Sequence, residues 1–144
     1  MVPMRHRRRT RKGKPTAIRP MGTRTKPQMG LRPPFPLELE VGGVTLRGEI
    51  VDAKCYWGVM KPGHTKPHRG CAARCIAGGV PAVLLVRGAD GSARTLLLVT
   101  EEGETVNDQV GDLVAEPVEI SGVLVRQGDL EILRADPADY RRLD

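Results

Sequence analysis

All three cysteines, two of the three histidines and the only tryptophan of this 144-residue chain fall within residues 55–75. Cys71 and Cys75 stand at i and i+4, which on a helix places both on one face. His68 lies three residues before Cys71, and Cys55 reaches the same region from an upstream strand across a loop containing Gly58, Pro62 and Gly63. Thiolate and imidazole are the donors that borderline-soft divalent ions prefer, and two cysteines separated by three residues match the spacing of structural zinc sites. Cys55, His68, Cys71 and Cys75 are therefore the candidate metal ligands, and zinc is the first expectation. His64 stands four residues before His68 as a replacement or additional ligand, which would suit copper or an open coordination position.

Other chemistry is open to the same residues. A Cys55–Cys71 disulfide would pin the loop to the sheet and leave Cys75 as a buried apolar side chain, with no metal involved. All three thiols can equally be reduced core residues, although an odd cysteine count fits a purely disulfide framework poorly. Cys71 near a helix start beside His68 has the makings of a stabilised thiolate, but no third orienting group and no substrate pocket are evident. Cys-x-x-Cys-His, a Walker loop, a dinucleotide glycine motif, paired zincin histidines and a Gly-x-Ser-x-Gly elbow are all missing. The chain thus reads as non-enzymatic.

The neighbours of these residues have simpler readings. Tyr56, Trp57 and Met60 are expected to cap a barrel, and Asp52 to end a strand rather than to hold a ligand histidine. Lys54, Lys61, Lys66, Arg69 and Arg74 make the segment locally basic, which would favour thiolates.

The elements that position the segment follow from periodicity. Residues 71–77 are bracketed by Pro67 and Gly70 before and Gly78, Gly79 and Pro81 after, which predicts a short helix. Alternation over residues 37–41 and 44–50 around Gly42-Gly43 predicts a hairpin. Residues 82–87 and 93–100 around Ala89-Asp90-Gly91-Ser92 predict a second, and residues 118–126 and 130–133 around Gln127-Gly128-Asp129 a third. Residues 101–111 read as a polar loop or short helix. Five or six short strands with so little helix and only 3% aromatic residues most economically close into a small barrel. The expected fold is all-β, an OB-like barrel over residues 37–144 with one short helix carrying the Cys/His motif; a two-sheet sandwich is the alternative.

Residues 1–36 differ in kind. They carry 11 Lys or Arg, no acid and seven prolines, so the net charge of +6 conceals a body of 12 basic against 17 acidic residues. Such a composition predicts a disordered basic tail. Arg5, Arg7, Arg8, Arg9, Arg11 and Lys12 can follow a phosphate backbone or an anionic surface, yet no aromatic interleaves them for base stacking. No apolar run is long enough to span a membrane and no signal peptide follows the basic start, so the chain as written is expected to be cytoplasmic. Met4, Met21 and Met29 leave room for a later start, and with it an extracytoplasmic or membrane-associated location.

The wording Asp52-Ala53-Lys54-Cys55, then His68-Arg69-Gly70-Cys71-Ala72-Ala73-Arg74-Cys75, resembles a small family of uncharacterised bacterial barrel-like proteins that share an Asp-x-x-Cys and a His-x-x-Cys-Ala-x-x-Cys motif. The similarity runs from Leu46 to about Leu133. Cys55, His68, Cys71 and Cys75 fall on the motif, whereas His64 is particular to this chain. The resemblance implies association with membrane or extracytoplasmic redox systems, although the basic, proline-rich start departs from the apolar N-terminus expected there. The combined expectation is a metal-binding barrel module serving a redox or assembly partner. A thiol–disulfide redox protein and a nucleic-acid-binding barrel that uses the tail are the competing functions.

Overall fold

The apolar–polar alternation that begins near residue 38 builds one long strand, β1 (Leu39–Asp52), in the computed structural model, which describes residues 38–144. The basic tail, with Arg5, Arg7, Arg8, Arg9, Arg11 and Lys12, lies outside the described residues. The hairpin expected at Gly42-Gly43 does not form. Glu40 pairs with Val125 and Gly42 with Leu124, so Val41 is an extra residue and the glycine pair sits at a β-bulge. Gly42, at φ +132°, supplies the backbone conformation that the bulge needs. A glycine pair between two alternating runs carries the same local signal for a turn as for a bulge. What decides here is the partner strand, which continues past the irregularity.

The other two hairpins form as the periodicity predicts. β2 (Ala82–Arg87) turns into β3 (Ala93–Val99), and β4 (Pro117–Gln127) into β5 (Leu130–Arg134). β1 pairs with β4 along its first part and with β2 at its end, while β3 runs parallel to β5. These pairings close a five-stranded barrel in the order β1-β2-β3-β5-β4, back to β1. A sixth strand, β6 (Arg141–Arg142), adds to β4 outside the ring. Closure removes the unpaired edges that a short sheet would otherwise expose. Gly48 permits close approach of β1 and β2, since a side chain there would run into the Leu85 carbonyl oxygen.

The barrel interior is filled by Ile50, Leu84, Leu96, Leu98, Ile120 and Leu133, each at most 2% exposed. Each such side chain contributes about 1.5–3 kcal/mol by leaving water. Val106 and Val110 join this core from the segment read as a polar loop, which is thereby anchored from within. Val51, Ala53, Val83 and Leu85 point the other way and form a second cluster under Tyr56 and Val80. β2 is therefore buried on both faces, which explains its unbroken apolar run.

The chemistry-bearing segment bridges β1 and β2. It consists of a π-helical turn (Cys55–Val59), a 3-10 turn (Lys66–His68) and a helix, α1 (Arg69–Ala77). The helix begins two residues before the predicted start and ends where Gly78 and Gly79 break it. Ala72 and Ile76, again i and i+4, insert into the barrel core and seat the helix. Among the described residues, no helix is long and apolar enough to cross a membrane.

Candidate metal centre

With Ala72 and Ile76 turned inward, the preceding positions Cys71 and Cys75 share the adjoining face of α1; Cys71 is exposed and Cys75 half-buried. The end of β1 delivers the third sulfur. Asp52 is completely buried as the last residue of the strand, and its Oδ1 accepts from the Cys55 backbone N–H at 2.8 Å. That bond turns the chain out of the sheet and aims Cys55 at the helix. The Sγ atoms of Cys55, Cys71 and Cys75 all lie within 4.8 Å of one another, and those of Cys55 and Cys71 are 3.9 Å apart.

That distance separates two of the readings. A disulfide requires about 2.05 Å, so Cys55 and Cys71 are free thiols in van der Waals contact. Tetrahedral coordination with metal–sulfur bonds of about 2.3 Å puts ligand sulfurs roughly 3.8 Å apart. The three-thiol group therefore has the spacing to hold a metal ion, using donors from two segments that only folding brings together.

His68 is also buried beside this group, but its Nε2 lies 3.1 Å from Asp52 Oδ2. Asp52, Cys55 and His68 form a second cluster of donors within 4.8 Å of one another. The four candidate ligands thus occupy two overlapping triads that share Cys55, rather than one compact tetrad. Asp52 does more than end its strand, contrary to expectation: its two oxygens tie the Cys55 turn to the start of α1, and together His68 and the Cys55 N–H satisfy a carboxylate that burial would otherwise penalise. A metal-ligating histidine commonly uses such a carboxylate to fix its ring. His64 belongs to neither triad; its ring centroid is 6.4 Å from that of Tyr56.

The surrounding charge does not favour a thiolate at every position. Burial, followed by the Asp52 carboxylate and the neighbouring thiols, pushes the Cys55 thiol up to about 12. Lys54, Lys61, Lys66 and Arg74 are exposed, and Arg74 lines an open surface pocket with Cys71 and Cys75. Arg69 is engaged by Glu116 at 2.8 Å and by the Asp112 carbonyl at 3.2 Å, so it braces α1 against the segment preceding β4.

Two further residues shape the centre. Asn107 donates to the carbonyls of Ile76 at 2.8 Å and Val80 at 3.0 Å, closing the end of α1 and fixing the chain as it leaves Cys75. Its position in a polar stretch distant in sequence gave no local sign of this role. Gly63 folds directly over the Cys55 turn, where an added Cβ would come within 2.7 Å of the Tyr56 Cα. Tyr56 covers the outer apolar cluster as expected of a cap, but Trp57 and Met60 are 59% and 42% exposed and cap nothing.

No protein-family model matches this chain, and no curated protein or solved structure matches it either.

Proposed function

We propose that this protein is a non-enzymatic barrel module that binds one soft metal ion, zinc in the first instance, through Cys55, Cys71, Cys75 and His68. The observation that carries the reading is the three-sulfur cluster, whose 3.9 Å Cys55–Cys71 separation suits thiolates sharing an ion. His68 would complete the set while Asp52 holds its ring. Copper is the alternative ion, since three thiolates also suit its soft monovalent state. Because Cys55 keeps its proton in the metal-free fold, uptake of the ion displaces that proton and strengthens as pH rises. The motif resemblance supports service to a redox or assembly partner.

Native mass spectrometry with elemental analysis of protein purified under reducing conditions tests this reading. One metal per chain is expected, with a melting temperature lowered by a chelator and a Cys75→Ser variant that loses the metal. Metal-free protein whose melting is indifferent to chelators would overturn it.

One observation favours a second reading, thiol–disulfide exchange: Cys71 is exposed while its sulfur touches that of the buried Cys55. Attack of Cys71 on an external disulfide, resolved by Cys55, would convert the pair to an internal disulfide and release two external thiols. Free-thiol mapping before and after treatment with oxidised glutathione separates the readings, because metal-bound cysteines resist that oxidation.

A further inference from the structure

Beside the sulfur cluster, and sharing no cysteine with it, lies an open groove of about 380 Å³ lined by Tyr56, Trp57, Lys61, Pro62, Gly63, His64 and Arg87. Its composition is unlike the rest of the body. Three aromatic side chains of Phe, Tyr or Trp type occur among the described residues; Tyr140 belongs to the barrel core, and the other two line this groove. The body carries more acidic than basic residues, yet the groove is walled by Lys61 and Arg87, with no acidic residue in its lining. Trp57 stays 59% exposed, presenting a broad apolar ring to solvent. The Nδ1 of His64 is buried and has no hydrogen-bond partner, although buried polar atoms are nearly always paired. The ring that carries it tilts toward Tyr56 at 60°. The aromatic pair is carried on a π-helical turn, an irregularity that concentrates at functional sites.

We propose that this groove binds a small planar anion of the nucleoside monophosphate class. Trp57 and Tyr56 supply faces on which a heterocycle stacks. Arg87 and Lys61 supply charge-assisted donors to a phosphate. His64, tilted against Tyr56, forms part of the wall that holds the ring in place. The volume falls within the range of pockets for ligands of that size. This site is independent of the metal reading, and either can fail alone.

Trp57 is the chain's single tryptophan, so its fluorescence reports on this groove directly. Titration of the full chain with adenosine monophosphate should quench or shift the emission saturably, with adenosine and inorganic phosphate each binding roughly tenfold or more weakly. Arg87→Glu and Lys61→Glu, both at exposed positions, should each weaken the nucleotide by roughly tenfold while leaving the melting temperature in place. His64→Ala should weaken it further without altering the preference for the phosphorylated ligand. Absence of saturable change at millimolar nucleotide would overturn the proposal. So would equal binding of adenosine and its monophosphate, indifference to both charge reversals, or binding confined to single-stranded oligonucleotides.

Discussion

The barrel interior and the segment that bridges β1 and β2 are held together by different means. Interior residues such as Leu84, Leu96 and Ile120 are apolar, completely buried and supported from many directions at once. The bridging segment rests on few ties: Ala72 and Ile76 inserted into the core, the two oxygens of Asp52, the amide of Asn107, and Arg69 with Glu116. Loss of one interior contact can be partly absorbed by neighbours, whereas loss of one polar tie releases a whole donor. Stability belongs mainly to the first region and the placement of the candidate ligands to the second.

The largest effect should come from the interior. Leu84→Ala is expected to cost about 2–5 kcal/mol of stability, read by denaturant unfolding, while the fraction that remains folded still binds metal normally. A drop in metal stoichiometry per folded chain would break the comparison. Asp52→Ala should cost about 1–3 kcal/mol by orphaning buried His68 and the Cys55 N–H, and should weaken metal binding more than Leu84→Ala does, as measured by chelator competition. Asn107→Ala removes the side-chain donor to the Val80 carbonyl and one of two donors to the Ile76 carbonyl, which keeps the Gly79 N–H, at about 1 kcal/mol; hydrogen exchange should rise at the end of α1 and not in β4.

A separate effect is set by pH. In the metal-free protein the folded Cys55 thiol titrates near 12, above its ordinary value near 9. The folded state therefore holds its proton where the unfolded chain has lost it, so this contribution is complete below about pH 8.5 and is lost as pH rises toward 12. Burial pushes Tyr140 up to about 12 as well, and its contribution falls in the same direction. Melting temperature should decline between pH 9 and 11 in reduced, chelated protein, and less steeply in Cys55→Ala. An equal decline in both would assign the effect to Tyr140 and the barrel alone.

Much of this architecture is legible in the chain because the signals are local. The two later hairpins follow from alternation interrupted by Gly91 and Gly128, whose positive φ values the turns require. The helix follows from its breakers, and the gathering of the cysteines from residue type alone. Properties decided by distant pairing are not legible. The parallel contact of β3 with β5 that closes the ring has no signature in either strand. Val106 and Val110 sit in a stretch that reads as polar, and only their packing against the barrel core buries them. Asp52 looks like any acid at a strand end until His68 arrives from sixteen residues away.

The bulge at Gly42 sets what changes near the start of the described chain can do. An extra residue in a strand with a two-residue period shifts every side chain before it by one face, but the phase of Val44, Leu46 and Ile50 is set by their own pairings downstream. Substitutions or slippage ahead of the glycines are thus mechanically insulated from Asp52 and the turn that follows it. A substitution at Leu39 or Glu40 is accordingly expected to disturb the pairing with Arg126 and Val125 while the three sulfurs keep their spacing.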